Sequence, residues 1–180
     1  MPPALRKGML AFHLTCSVGW LGAVVAYLVL DLTVSTSENA LAVRSAWIAM
    51  GQVTSAVIVP LAAGALVTGL VMSLGTKWGL FRHWWVLISL GLTVVALLVL
   101  WSETGLIKSV ADLAADPKVS DSRLLDMPGT LPHSIGGLLV LLVIQVLNVY
   151  KPQGLTPYGW RKEQERRVRP AGSGGTRTQA

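Results

Sequence analysis

Residues 8–24 read GMLAFHLTCSVGWLGAV, an apolar run with no formal charge and one histidine, His13. The run continues to Leu30 before Asp31 interrupts it. A bilayer core takes about 20 apolar residues per helix. Three further stretches reach that order: Ala46–Met72, His83–Trp101 and Leu131–Tyr150, free of Asp, Glu, Lys and Arg. Within hydrocarbon the backbone must satisfy its own hydrogen bonds, so runs of this length fold as helices. The sequence therefore predicts an all-α protein, a four-transmembrane-helix bundle with helices over about 8–30, 46–72, 83–101 and 131–150. Composition agrees, at 52% hydrophobic and 13% charged residues against about 25% charged in soluble domains.

The short flanks give the orientation. Arg6, Lys7, Lys77, Arg82, Lys151, Arg161, Lys162, Arg166, Arg167, Arg169 and Arg177 fall on one side, with only Glu163 and Glu165 for company. The other side carries Arg44, Lys108, Lys118 and Arg123 against seven acidic residues. Lys and Arg concentrate in cytoplasmic loops, so both termini are expected in the cytoplasm of a bacterium and the chain in its plasma membrane. Arg6-Lys7 ahead of an apolar run resembles the start of a signal peptide, but the run is long and lacks a small-residue cleavage site, so a retained anchor is expected. Residues 1–150 form the membrane domain and 151–180 a basic, largely disordered cytoplasmic tail, drawn to anionic lipid headgroups. The net charge of +6 is thus a topology signal; no nucleic-acid motif accompanies it and no nucleic-acid partner is expected. A single cysteine excludes an internal disulfide.

Finer features follow along the chain. Trp47 falls where an outer aromatic belt would lie, and Trp78, Trp84 and Trp85 mark the inner one, with Lys77 and Arg82 as anchors. Pro60 removes a donor in mid-helix and is expected to kink it. Gly64, Thr68 and Gly69 permit close helix contact, inside the bundle or in a homo- or hetero-oligomer. Between the third and fourth helices, residues 102–130 place Leu106, Ile107, Val110 and Leu113 at helical spacing, which predicts a short amphipathic helix lying on the outer surface. Thr130-Leu131-Pro132 reads as a helix start.

Three- and four-residue steps from His13 pass through Cys16, Ser17, Trp20, Val24, Tyr27 and Asp31, so the histidine belongs to a stripe that faces protein. His83 begins the third helix in the same leaflet, where Gln145 and Asn148 also fall. Three readings compete. The histidines are neutral packing residues near the interface; or they ligate a b-type haem between the helices, with Arg82 or Lys77 on a propionate; or they belong to a proton or metal-ion path. No carboxylate is expected deep in any helix, which weighs against the third. His133 stands on the outer side near Glu103 and Asp126. No P-loop, dinucleotide fingerprint or serine elbow is present, and no catalytic residue is assigned.

The stretches AFHLTCSVGWLGAVVAYLVLDL, GLVMSLGTKWGLFRHWWVLISL, HSIGGLLVLLV and VYKPQGLTPYGWRK resemble a family of small uncharacterised four-helix integral membrane proteins of high-GC Gram-positive bacteria. The likeness covers most of residues 5–163 and implies the fold without an activity. More distantly, His13 followed by Trp20-Leu21-Gly22 looks like the copper-resistance D-type membrane proteins and the haem-binding membrane protoporphyrinogen oxidase. That resemblance implies haem at His13 and, by position, His83; Ser89 stands where those proteins carry a lysine, which argues against porphyrin-oxidising chemistry. The expected function is an accessory membrane component holding haem b, against a structural or partner-binding membrane protein without cofactor. Reporter fusions at Ala180 and within 102–130 are predicted to report cytoplasm and exterior respectively, read as alkaline phosphatase activity on the outer fusion only.

Overall fold

The computed structural model describes residues 2–75 and 79–168. Four long apolar helices dominate it: α1 (Pro3–Thr36), α2 (Ala40–Gly75), α3 (Trp84–Ala115) and α5 (Leu131–Tyr150). Two short ones accompany them, α4 (Asp121–Leu125) and α6 (Pro157–Val168). Each of the four is long and apolar enough to cross a membrane. Each packs on the next in the chain, and α5 closes back on α1, so α1 faces α3 across the bundle's diagonal. One end holds the start of α1, residues 79–83 and α6 (the terminal end). The other holds the α1–α2 turn and the α3–α5 connection (the distal end).

Local chemistry sets the helix boundaries. Pro3 opens α1, where its missing N–H costs nothing. The Asn39 side chain accepts the Leu41 and Ala42 N–H groups and so caps α2. Lys151 closes α5 in the left-handed region at φ 45°. Pro60 does not simply break α2. Its missing donor is absorbed by a π-turn over Thr54–Ile58, in which the Val59 N–H reaches back to the Thr54 carbonyl.

The helices are longer than the charge-free runs. At 1.5 Å per residue the 20-residue α5 spans about 30 Å, one hydrocarbon core. The other three, at 34, 36 and 32 residues, exceed it by 12–16. Much of the surplus gathers at the distal end as a small cap whose core is Val34, Val43, Trp47, Met50, Ile107 and Leu124, all buried. Two expectations change here. Trp47 lies in this core, not in an aromatic belt, because α2 continues past the level of α5's start. The amphipathic segment around Leu106–Leu113 is helical but unbroken from α3, and it lies against α2: a Cβ on Gly51 would approach the Ala111 Cβ to 2.5 Å. Arg44 makes that extension stable. Its guanidinium donates to the Ala114, Asp116 and Val119 carbonyls at 2.7, 3.0 and 2.8 Å and pairs with Asp121 at 3.1 Å. A cation thus meets the open carbonyls of a helix C-terminus.

At the terminal end the chain after α5 doubles back. Leu155 forms an antiparallel bridge with His83, the Trp84 N–H donates to the Gly154 carbonyl at 3.2 Å and the Thr156 N–H to the Arg82 carbonyl at 3.0 Å. The expected tail is therefore ordered through α6, with its final residues 169–180 outside the described ones. Lys77 and Trp78 lie outside them as well. Of the other interfacial tryptophans, Trp84 is exposed and Trp85 is buried.

Candidate functional site

The bundle axis contains two cavities, one at each end, with no lining residue in common. The terminal cavity, about 440 Å³, takes residues from all four spans. Its polar lining includes His13 and Ser17 from α1, Ser73 from α2, Ser89 and Thr93 from α3, and Gln145 and Asn148 from α5. So the structure brings together His13, Gln145 and Asn148. It does not bring His83 to them: His83 precedes the first turn of α3, its ring 6.4 Å from that of Trp85, and it is not among the cavity's lining residues. Arg82 stands 3.5 Å from Glu163 and also lies off the cavity, whose lining includes Lys151 instead.

The protonation of His13 can be derived. The Thr68 hydroxyl lies 2.6 Å from the Gly64 carbonyl and 2.9 Å from His13 Nδ1. Two oxygens at 2.6 Å repel unless a proton lies between them, so the single Thr68 proton is given to Gly64. His13 must then donate through Nδ1–H, and the lone pair of the ring is left on Nε2. The Ala65 backbone is the ring's other hydrogen-bonding neighbour, and no side chain among the described residues bonds Nε2. Gly69 makes room for the ring, since a Cβ there would sit 3.2 Å from His13 Cε1. Ser89, in the place discussed for a lysine, is buried, and its hydroxyl also lacks a partner.

The distal end holds a polar cluster that the linear sequence hid. Asp31 was read as the end of a helix; it lies inside α1 and is fully buried. Its Oδ1 accepts the Thr130 N–H at 2.8 Å, and its Oδ2 accepts the Thr130 hydroxyl at 3.0 Å and the Ser134 hydroxyl at 2.6 Å. With the Thr130 proton committed, the Tyr27 hydroxyl 3.0 Å away donates to Thr130 Oγ1. An α1 carboxylate thus caps the N-terminus of α5, favoured by its dipole as well as by hydrogen bonds. Gly129 is required for the approach: a Cβ there would fall 3.0 Å from Asp31 Oδ1 and collide with the Ser35 hydroxyl. The expectation of no carboxylate deep in a helix is overturned by Asp31. Its signal was available, because Asp31 continues the buried series Cys16, Trp20, Val24 and Tyr27.

Beside this cluster lies the distal cavity, about 340 Å³, with Tyr27, Thr54, Glu103 and His133 among its lining. His133 Nε2 and Glu103 Oε1 are 3.6 Å apart. No group of three or more metal-ligating side chains occurs among the described residues. No protein-family model, curated protein or solved structure matches the chain.

The Asp31 cap predicts contrasting variants. Asp31→Ala leaves the Thr130 N–H buried without its acceptor and the Ser134 hydroxyl with only the Leu131 and Thr130 carbonyls at 3.2 and 3.5 Å, and is expected to cost about 1–3 kcal/mol. Asp31→Asn can keep the bond at Oδ1 and turn its amide toward the two hydroxyls, which reorient to accept. It should lose much less. Thermal unfolding in detergent measures both.

Proposed function

We propose that the protein is a four-span component of a bacterial plasma membrane, both termini cytoplasmic, whose terminal cavity would hold a b-type haem through His13. The basic residues Arg6, Lys7, Lys151 and Arg161 at the terminal end support that orientation, which places the cavity in the inner leaflet. The observation that carries the proposal is a cavity-lining imidazole whose Nδ1 is held by Thr68, which leaves the ring's lone pair to Nε2. A ligating histidine needs that arrangement: one nitrogen free for the metal, the other fixed by a hydrogen bond that orients the ring. Haem b, when bound, supplies one-electron chemistry.

The chain's own residues do the rest. Thr68 sets the tautomer and the plane of the His13 ring. Leu10, Leu14, Met72 and Trp85 give the cavity apolar walls that exclude water. Ser89 lines the same cavity, its unsatisfied hydroxyl sealed in the wall. Lys151 is the cation proposed to meet a propionate, since Arg82 is drawn to Glu163. His83 is not proposed as a second ligand. The basic face of α6, with Arg161, Arg166 and Arg167, is proposed to rest on anionic lipid headgroups.

A second reading, a structural membrane protein without cofactor, is favoured by the same His13–Thr68 bond, which by itself clamps α1 to α2. Visible absorption of the detergent-purified protein, made with haem supplied during expression, separates the two. One haem per chain, with a Soret band that shifts on dithionite reduction, is expected. The band should vanish in His13→Ala and persist in His133→Ala, and Thr68→Val should weaken haem retention by about 10–100-fold. A flat spectrum would leave the structural reading.

A further inference from the structure

The distal cavity runs along α3 from Leu92 to Glu103, eleven residues or about 16 Å of helix. Its walls are overwhelmingly apolar: Trp20, Val24, Ile58, Leu92, Val99 and Val140 among others. Two polar groups on it have no protein hydrogen bond among the described residues. The Glu103 carboxylate, 21% exposed, faces His133 Nε2 at 3.6 Å, an ion pair only when the imidazole is protonated, and has Tyr27 as a further neighbour. The Thr54 hydroxyl is 1% exposed and has no partner. Thr54 sits in the π-turn and does not make the i−4 bond that Thr68, Thr93 and Thr104, and its neighbour Ser55, all make.

Buried polar atoms without partners are expensive, and a bilayer offers no water to satisfy them. Neighbouring groups cannot supply the donors. The Tyr27 proton goes to Thr130, and the Thr130 and Ser134 protons go to Asp31. So the head of the cavity offers a carboxylate acceptor and the remaining Tyr27 lone pair, with a second carboxylate, Asp31, close behind, while the Thr54 hydroxyl is sealed within the wall. Nothing there donates strongly except His133, half exposed at the mouth.

We infer that the distal cavity is a binding site for a small lipophilic amine, its ammonium head at Glu103 and its apolar body along α3 toward Leu92. An ammonium carries several N–H donors and a positive charge, which matches this set of acceptors; a charge-assisted bond to a carboxylate is about twice as strong as a neutral one. An alcohol of the same shape offers one donor and no charge. The site is separate from the His13 cavity and does not depend on haem.

The test uses the full-length protein in nanodiscs of zwitterionic lipid, with empty nanodiscs to subtract partitioning. Binding of 4-phenylbutylamine and of 4-phenylbutanol is measured by equilibrium dialysis at neutral pH. Saturable binding of one amine per chain is expected, with the alcohol at least tenfold weaker. Glu103→Gln should weaken the amine at least tenfold and leave the alcohol unchanged. Gly137→Leu gives an independent arm. A Cβ at Gly137 meets no atom within 4 Å, and the residue lines the cavity, so leucine fills it without moving backbone. Both ligands should then be lost while the protein still elutes as the wild-type species. Equal binding of amine and alcohol, unchanged amine binding in Glu103→Gln, or binding that survives Gly137→Leu would each overturn the inference.

Discussion

A hydroxyl has one proton, and in a bundle surrounded by lipid it can give that proton only once. The polarity of both ends of this protein follows from where two threonines give theirs. Thr68 gives its proton to the Gly64 carbonyl, so His13 must donate to it and keep its free lone pair on Nε2. Thr130 gives its proton to Asp31, so Tyr27 must donate in turn and the cluster around α5's first turn is closed. In water either hydroxyl could exchange partners with solvent. Within an apolar bundle the alternatives are missing bonds, each costing about 1–3 kcal/mol, and the direction of each chain is therefore fixed.

The same bookkeeping marks the places where the protein is incomplete. His13 lines the terminal cavity and Glu103 the distal one, while the Ser89 and Thr54 hydroxyls lie sealed in their walls without a hydrogen bond among the described residues. The two ends differ in kind. The terminal cavity offers a nitrogen base among amides and hydroxyls, suited to a metal-centred or donor-bearing ligand. The distal cavity offers a carboxylate above apolar walls. A bundle kept only for scaffolding would gain stability by replacing these groups with apolar ones.

The sequence carried the four spans in its charge-free runs and carried the buried face of α1 in the steps from Cys16 to Asp31. It hid what the helices do beyond the hydrocarbon. Charged residues such as Arg44 and Glu103 fall outside the charge-free runs, and Asp112 in what reads as a separate surface helix, yet in the structure they lie on helices that run on into a packed cap. Arg44 stabilises that cap by meeting carbonyls 70 and more residues away, a pairing no local pattern reveals. Trp47 was misplaced for the same reason. Of the histidines, His13 was legible because its neighbours at three and four residues bury themselves. His83 was not, because its position is set by the returning 151–156 segment.

The central claim is the state of the His13 ring, and 15N solid-state NMR of the histidine-labelled, cofactor-free protein in lipid bilayers measures it directly. A neutral imidazole with Nδ1 protonated and Nε2 bare is predicted, with His13 identified by the signal missing from His13→Ala. A proton on Nε2 would contradict the account, for the base that faces the cavity would then be absent.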